Sequence, residues 1–440
     1  MNKKLVAALS LSALALIACG GGKTTGENAK IVVWGPDKEE PVVSQIVEAY
    51  NAANPDDKIE YTFVPITEAD AGTTVANDPT VKGYPSLFAL ADDQLSNLTT
   101  IKGIVNPLGT AAAEEIRTND VETAVTAASI DGTLYAYPIS VDNGYFLYYD
   151  KRIYKDDDVK TLEKVLEVAD SQSRTFVMDV PNGYYSASFF MSPQVCGTDS
   201  LSYEYLPSAD GTKQIAKYTC DWNNDAGAEM ALKASELMVQ YGAGTSDKTS
   251  TWLAVDDNGL MGEGSNLAAC VSGMWMADHL STAWGGTENV GAVKLPTLDG
   301  KQLSSFAGTK LYCVNSYATV AEQRTAHKLA ALLTNKESQL IRYKLRNSIP
   351  CNKEAQADES YTSTLASNPT VAALQDQSQY AAVQSVAAES AYWTVGEGIG
   401  DVMTKGSYTE NQVTTKLETA EQWKTYLTNA LSAITNPAGL

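Results

Sequence analysis

The residues able to do chemistry are unevenly supplied in this chain. Among 440 residues there are 53 Asp and Glu, 23 Tyr, 7 Trp and 6 Cys, but only two His. His279 and His327 stand far apart, which leaves little for His-based proton transfer or His-rich metal sites. No C-x-x-C spacing occurs, so zinc and thioredoxin-type redox centres are not expected. H-E-x-x-H, G-x-S-x-G and a G-x-G-x-x-G with a distant acid are also missing. Asp221-Trp222-Asn223-Asn224-Asp225 begins like a calcium loop. Its sixth place is Ala226 and its twelfth is Leu232, so neither the sharp turn nor the bidentate acid is supplied. Gly22-Lys23-Thr24 ends like a phosphate loop, but Ile17 stands where the first Gly is required and no strand precedes it. A glycosidase carboxylate pair has no motif, and 53 acids supply candidates by number alone. No metal or cofactor is implied. The Tyr excess supplies apolar area with a hydroxyl, suited either to polar ligands or to a wet surface.

The formal charge of −21 disfavours a nucleic-acid partner, because an acidic surface repels phosphate backbones. A hydrophobic share of 44% supports filled cores. The length exceeds the ~100–200 residues of one ordinary core, so two domains are expected.

The start of the chain sets the compartment. Asn2-Lys3-Lys4 is basic, and Leu5 to Ile17 is an apolar run of thirteen residues. That is short of the ~20 needed to span a bilayer, so it reads as a signal-peptide core. Leu16-Ile17-Ala18-Cys19 resembles the lipobox of bacterial lipoproteins, which implies cleavage ahead of Cys19 and lipid on its thiol. Losing Lys3 and Lys4 would take the charge from −21 to −23. Residues 1–18 are thus expected to be a signal peptide and 19–28 a Gly-rich tether. The remaining cysteines are Cys196, Cys220, Cys270, Cys313 and Cys351. Export permits disulfides. Cys196 and Cys220 flank a polar, turn-rich stretch and either staple it or remain free thiols.

The elements form an alternating pattern. Ile31 to Trp34 reads as a buried strand ending at Gly35-Pro36. Val42, Val43, Ile46, Val47 and Tyr50 follow helical spacing, and Ile59, Tyr61 and Phe63 alternate as a strand. Strand, helix, strand makes a βαβ unit with parallel pairing. Ser86 to Leu90, Phe176 to Val180, Val290 to Leu295 and Leu311 to Val314 are further strands. Leu162, Val165, Leu166 and Ala169 share a helix face. A helix follows the cap Asp225, and Thr319-x-x-Glu322 is a capping box. Val413, Leu417, Tyr426, Leu427 and Leu431 suggest closing helices.

Several phrases in fixed order resemble the extracellular solute-binding proteins of ABC sugar importers, of the maltose/maltodextrin-binding type. They are Ile31 to Trp34, Phe88 to Leu95, Asp131-Gly132-Thr133-Leu134-Tyr135-Ala136-Tyr137-Pro138, Ser272 to Trp275, Leu295-Pro296-Thr297, Ile349-Pro350 and Ser390 to Trp393, spread over residues 30–435. The resemblance implies an α/β, two-lobed, periplasmic-binding-protein-like fold, each lobe a mixed sheet flanked by helices, with ligand in the cleft. Crossings are expected near Ile139, Leu295 and Asn335. One lobe would be 29–139 with 296–336, and the other 140–295 with 337–440.

Carried over by position, Trp275, Trp393 and Tyr184 are the ring-stacking candidates, and Asp37, Lys38, Asp93 and Asp142 the polar ones. Rings match the apolar faces of sugars, and charged or amide groups match the hydroxyl rims. The chain departs from the family at Leu90 and Gln94, where a Trp and an Arg are usual. It departs again at Asn182, where Glu is common, and at Asp142, one methylene shorter than Glu. The resemblance implies a non-enzymatic, monomeric receptor for an α-glucan oligosaccharide, lipid-anchored outside the cell and serving ABC permease subunits. The alternatives are a receptor for another sugar or small solute, a secreted glycoside hydrolase, or an adhesive lipoprotein.

Overall fold

The computed structural model describes residues 28–81, 83–211, 214–243, 248–254, 265–387 and 390–440. The expected signal peptide, nearly all of the tether and Cys19 lie outside the described residues. Among those described, no helix is long and apolar enough to cross a membrane.

One nine-stranded sheet runs through the molecule. Its order is Tyr61–Pro65, Ile31–Gly35, Leu87–Ala91, Ser305–Val314, Tyr137–Asp150, Leu267–Gly273 and Thr175–Val177. Val290–Val293 adds to the far half of Tyr137–Asp150, and Ala381–Val383 to the start of Ser305–Val314. Ile31 pairs with Tyr61 in parallel, joined through the helix Glu40–Ala53, as the βαβ pattern predicts.

Two long antiparallel strands carry the sheet from one half to the other. Tyr137 and Ile139 pack in one core with Ile31, Val33, Leu87 and Leu311. Tyr145, Leu147 and Phe306 pack in a second core with Leu166, Phe176 and Trp222. Phe146 and Tyr148 point to the opposite face and pack with Trp284 and Tyr361. Alternation along a strand sends successive side chains to opposite faces, so one strand serves two cores. The change of core therefore falls within Tyr137–Asp150 and within Ser305–Val314. The second lies later than the expected crossing near Leu295, because Leu295, Leu298, Leu303 and Phe306 all stay in the second core.

Local chemistry explains most element ends. Leu162, Val165, Leu166 and Ala169 are buried on the helix Leu162–Ser171. Thr319 and Glu322 form the capping box of the helix Val320–Thr334. Asn224, not Asp225, caps the helix Asp225–Tyr241 by accepting from the Gly227 amide. Asp131 and Gly132 both take left-handed dihedrals, φ 48° and 74°, in a two-residue hairpin that sets Leu134 into the first core.

Three regions differ from the sequence reading. Val413 lies on a strand, Val413–Lys416, paired with Ser407–Glu410 across the left-handed Asn411-Gln412 turn. The closing helix begins later, at Ala420–Thr435. The stretch between Cys196 and Cys220 contains a regular hairpin, Leu201–Pro207 with Gln214–Cys220. Cys196 and Cys220 are free thiols, so the staple is not formed. Burial, and then the Asp221 charge, push the Cys196 thiol up to about 12. The Cys220 thiol is pushed up to about 12 chiefly by burial.

Candidate functional site between the lobes

The turns after parallel strands supply one wall. Strand Ile31–Gly35 ends in the turn Asp37–Glu39, and strand Leu87–Ala91 ends in the turn Asp92–Gln94. Loops at the carboxyl ends of parallel strands are where open α/β sheets place ligands. Burial raises the Asp93 carboxyl to about 6. Asp92, 2% exposed, is raised further, first by burial and then by the Asp93 charge.

The crossing strands supply the base. Asn143 pairs with Gly308, and Gly144 with Ala307. Gly308 has no side chain, and a Cβ there would meet the Gln384 amide oxygen at 2.0 Å. That close approach lets Gln384 bridge the lobes. Its Nε2 donates to Asp93 Oδ1 at 3.1 Å, and its Oε1 accepts from Asn143 Nδ2 at 2.6 Å.

The second lobe supplies rings. The Tyr184 hydroxyl donates to the Asn143 carbonyl at 3.0 Å. Burial raises its pKa, and neighbouring Tyr185, Tyr145, Asp92 and Asp93 add to the rise, so it lies beside the acidic turn. Its ring stacks on Phe306 at 5.7 Å and 19°, and Phe306 meets Trp393 edge-on at 6.0 Å. Trp393 sits on the helix Ser390–Lys405 and presses against Gly183, where a Cβ would approach its carbonyl to 3.2 Å.

Trp275 stands apart from that group. It follows strand Leu267–Gly273, lies over Gly273 and is 40% exposed. Three residues on, Asp278 accepts from Lys38 Nζ across the lobes at 2.7 Å, with both side chains mostly in solvent. A third cross-lobe contact joins Ser96 and the Tyr203 hydroxyl at 2.7 Å.

Beneath the cleft lies a charge network. Glu39 is buried and accepts from Arg342 Nε and Nη2 at 2.9 and 2.7 Å, from Arg346, and from the Tyr312 hydroxyl. Burial alone would raise Glu39, but the two guanidiniums outweigh it and hold the carboxyl low. Arg346 is 3.8 Å and Lys310 3.9 Å from Glu68. Lys310 is also 3.5 Å from Asp142, which accepts from the Ser140 hydroxyl at 2.7 Å. Asp142 is likewise held low, with Lys310 offsetting the effect of burial.

A family model described as bacterial extracellular solute-binding protein matches residues 45–373. The chain belongs to that family. The two-lobed solute-binding fold recurs in solved structures. The maltodextrin-binding protein MalE1 from L. casei BL23, without ligand, is 24% identical with a TM-score of 0.70, covering 93% of this chain and all of its own. A structure with acarbose is 27% identical with a TM-score of 0.72, over 92% of this chain and 99% of its own. A cyclo/maltodextrin-binding protein complexed with maltotetraose is 19% identical with a TM-score of 0.67, over 95% of this chain and 100% of its own. No curated protein sequence matches the chain. The family and these neighbours are binding proteins rather than enzymes.

In this solute-binding protein, Asp93, Tyr184 and Trp393 come together at the base, and Lys38 and Trp275 lie along the cross-lobe contact at the mouth. Asp37 is exposed in the same turn as Lys38. Asn182 caps the helix Gly183–Ser186, accepting from the Tyr184 amide at 3.0 Å, so it positions that ring. Asp142 is turned into the charge network. Leu90 is buried in the first core, and Gln94 folds onto Gly72 and donates to the Glu68 carbonyl at 2.8 Å. Neither restores the ring and guanidinium usual at those places.

Sequence reasoning missed Gln384, Asn143, Phe306 and Tyr203. An amide in a short strand-end segment has no distinguishing pattern, and a Phe on a crossing strand reads as core. The alternation Tyr203, Tyr205 before Pro207 was a usable strand signal.

Proposed function

We propose that the protein captures maltose/maltodextrin-type oligosaccharides by closing its lobes and delivers them to ABC permease subunits in the membrane. The observation that carries this reading is the set of unlike walls that meet at Gln384. Acids and Lys38 project from one lobe, and Tyr184, Trp393 and Trp275 from the other. A sugar offers hydroxyl rims to the first and apolar ring faces to the second. In this reading Trp275, Trp393 and Tyr184 stack, while Asp93, Asp37 and Lys38 meet hydroxyls. Asp142 and Asn182 hold the neighbouring groups in place. Closure has a physical basis in the two crossing strands, since hinges are a few terminal residues absorbing the dihedral change. Solved neighbours with maltotetraose and acarbose support the ligand class. Lipidation at Cys19 would hold this monomeric receptor at the outer face of the cell membrane.

The buried Leu90 and folded-back Gln94 favour a second reading, a shifted oligosaccharide preference, because the acidic turn lacks a ring and a guanidinium fork. The test is thermal-shift and calorimetric titration with maltose, maltotriose, longer maltodextrins and unrelated oligosaccharides. A bound ligand at 100 times Kd adds about 2.7 kcal/mol of stability. Stabilisation by α-glucans, with the sugar recovered intact, is the expected result. Stabilisation only by other oligosaccharides selects the second reading. Cleavage of the sugar, or no response to any oligosaccharide, rejects both.

A further inference from the structure

Away from the cleft, a cavity of about 280 Å³ opens between the helix Thr110–Asn119, the end of the helix Val320–Thr334 and the start of the helix Lys336–Arg346. Asp120 lies in its wall and is only 4% exposed. Among the described residues no donor hydrogen-bonds its carboxyl. The carboxyl faces the cavity without a protein donor, which leaves that position open to a partner entering from solvent.

The surrounding groups define what that partner must be. Ala112, Ile116 and Ala331 form an apolar strip. Glu115, Glu337 and Glu354 line the same cavity and lie exposed towards solvent. Lys336 also lines the cavity, but its ammonium and that of Lys353 are held by groups other than Asp120. Lys336 lies 3.5 Å from Asp358 and 3.9 Å from Glu354, and Lys353 donates to the Thr118 carbonyl at 2.9 Å. The Tyr137 hydroxyl is shared with His327 at 3.1 Å. A donor-rich cation with a short hydrocarbon body therefore matches the site.

We propose that this cavity binds a short aliphatic amine, its ammonium on the Asp120 carboxylate and its methylenes along Ala112, Ile116 and Ala331. A second ammonium would reach Glu115 and Glu337 at the rim. A charge-assisted hydrogen bond in a partly dry site is stronger than its neutral counterpart. In the empty cavity, burial pushes the Asp120 carboxyl up to about 7, with Glu115 adding and Lys353 opposing. An arriving ammonium favours the ionised form, so binding near pH 6.5 releases protons.

The test is calorimetric titration of the full chain with putrescine, n-butylamine and neutral n-butanol, in phosphate and in MES at pH 6.5. Both amines should bind and butanol should not, with heats that differ between buffers in proportion to proton release. Asp120→Asn should weaken both amines at least tenfold and abolish the buffer dependence. Glu115→Gln, at the rim, should weaken putrescine several-fold relative to butylamine, whose affinity shifts only as far as the lost Glu115 charge changes Asp120, which guards against misfolding of the buried variant. Maltotriose affinity, read on the same samples, should be unaltered in both variants. Absence of amine binding at tens of millimolar, or binding unchanged by Asp120→Asn, overturns the proposal.

Discussion

The base and the mouth of the cleft join the same two lobes in opposite ways. At the base most groups are tied to a structural neighbour, the buried Asp92 carboxyl being an exception. Gln384 links Asp93 to Asn143, Tyr184 stacks on Phe306, and the Glu39 network lies beneath. At the mouth, Lys38 and Asp278 meet in solvent, and Trp275 offers an exposed ring. A residue at the base therefore acts on fold and ligand together. A residue at the mouth is free to act on ligand alone.

The largest expected effect lies deepest. Arg342→Ala leaves Glu39 buried without its main partner and should cost about 3–5 kcal/mol, read by chemical denaturation. Because the Glu39 carboxyl is held below its ordinary 4.5, this contribution is present above that pH. It fades as pH falls through the lowered folded value, so the gap from wild type should narrow in acid. A gap independent of pH would mean that packing, not charge, holds the pair.

The two tryptophans test the contrast directly. Trp393→Ala should lower both melting temperature and affinity, because its ring packs on Phe306 and Tyr392 and truncating a packed Trp costs about 3–5 kcal/mol. Trp275→Ala should weaken α-glucan binding about 10- to 100-fold, with little change in the unliganded melting temperature. Equal stability losses in the two variants would erase the distinction between base and mouth.

A smaller effect of opposite sign is expected at Asp93. Its folded pKa, about 6, exceeds the ordinary 3.8, so its ionisation opposes folding above pH 6. Wild type should regain that stability as pH falls from 6 towards 4. Asp93→Asn should accordingly be more stable at pH 7 by roughly 1–3 kcal/mol, a margin that closes in acid, while its ligand affinity falls. A variant less stable at pH 7 would show that the Gln384 contact outweighs the burial of charge.

Lys38→Ala should have the smallest effect. Exposed ion pairs contribute ~0–1 kcal/mol, so affinity should change less than about fivefold, and less still in high salt. A larger, salt-insensitive loss would show that Lys38 acts chiefly through its contact with ligand hydroxyls and little through its pairing with Asp278.

The sequence by itself determined what local physics controls. The Ile31 to Trp34 strand, the helix face at Leu162, the Thr319 capping box and the Asp131-Gly132 turn follow from periodicity, hydrogen-bond capping and dihedral preference within a few residues. The ordered phrases also carried the family and the two-lobed α/β fold. Tertiary structure decided the rest, because those outcomes depend on residues distant in sequence. Val413 became a strand through its pairing with the Ser407–Glu410 segment. The second crossing was fixed by which core took Phe306. Gln384 became a bridge only because Gly308 leaves room for its amide 76 positions away and Asp93 waits on the other lobe. Nothing in an isolated Gln, Gly or Asp announces that meeting. It arises where two antiparallel strands cross and bring their neighbours within hydrogen-bond reach.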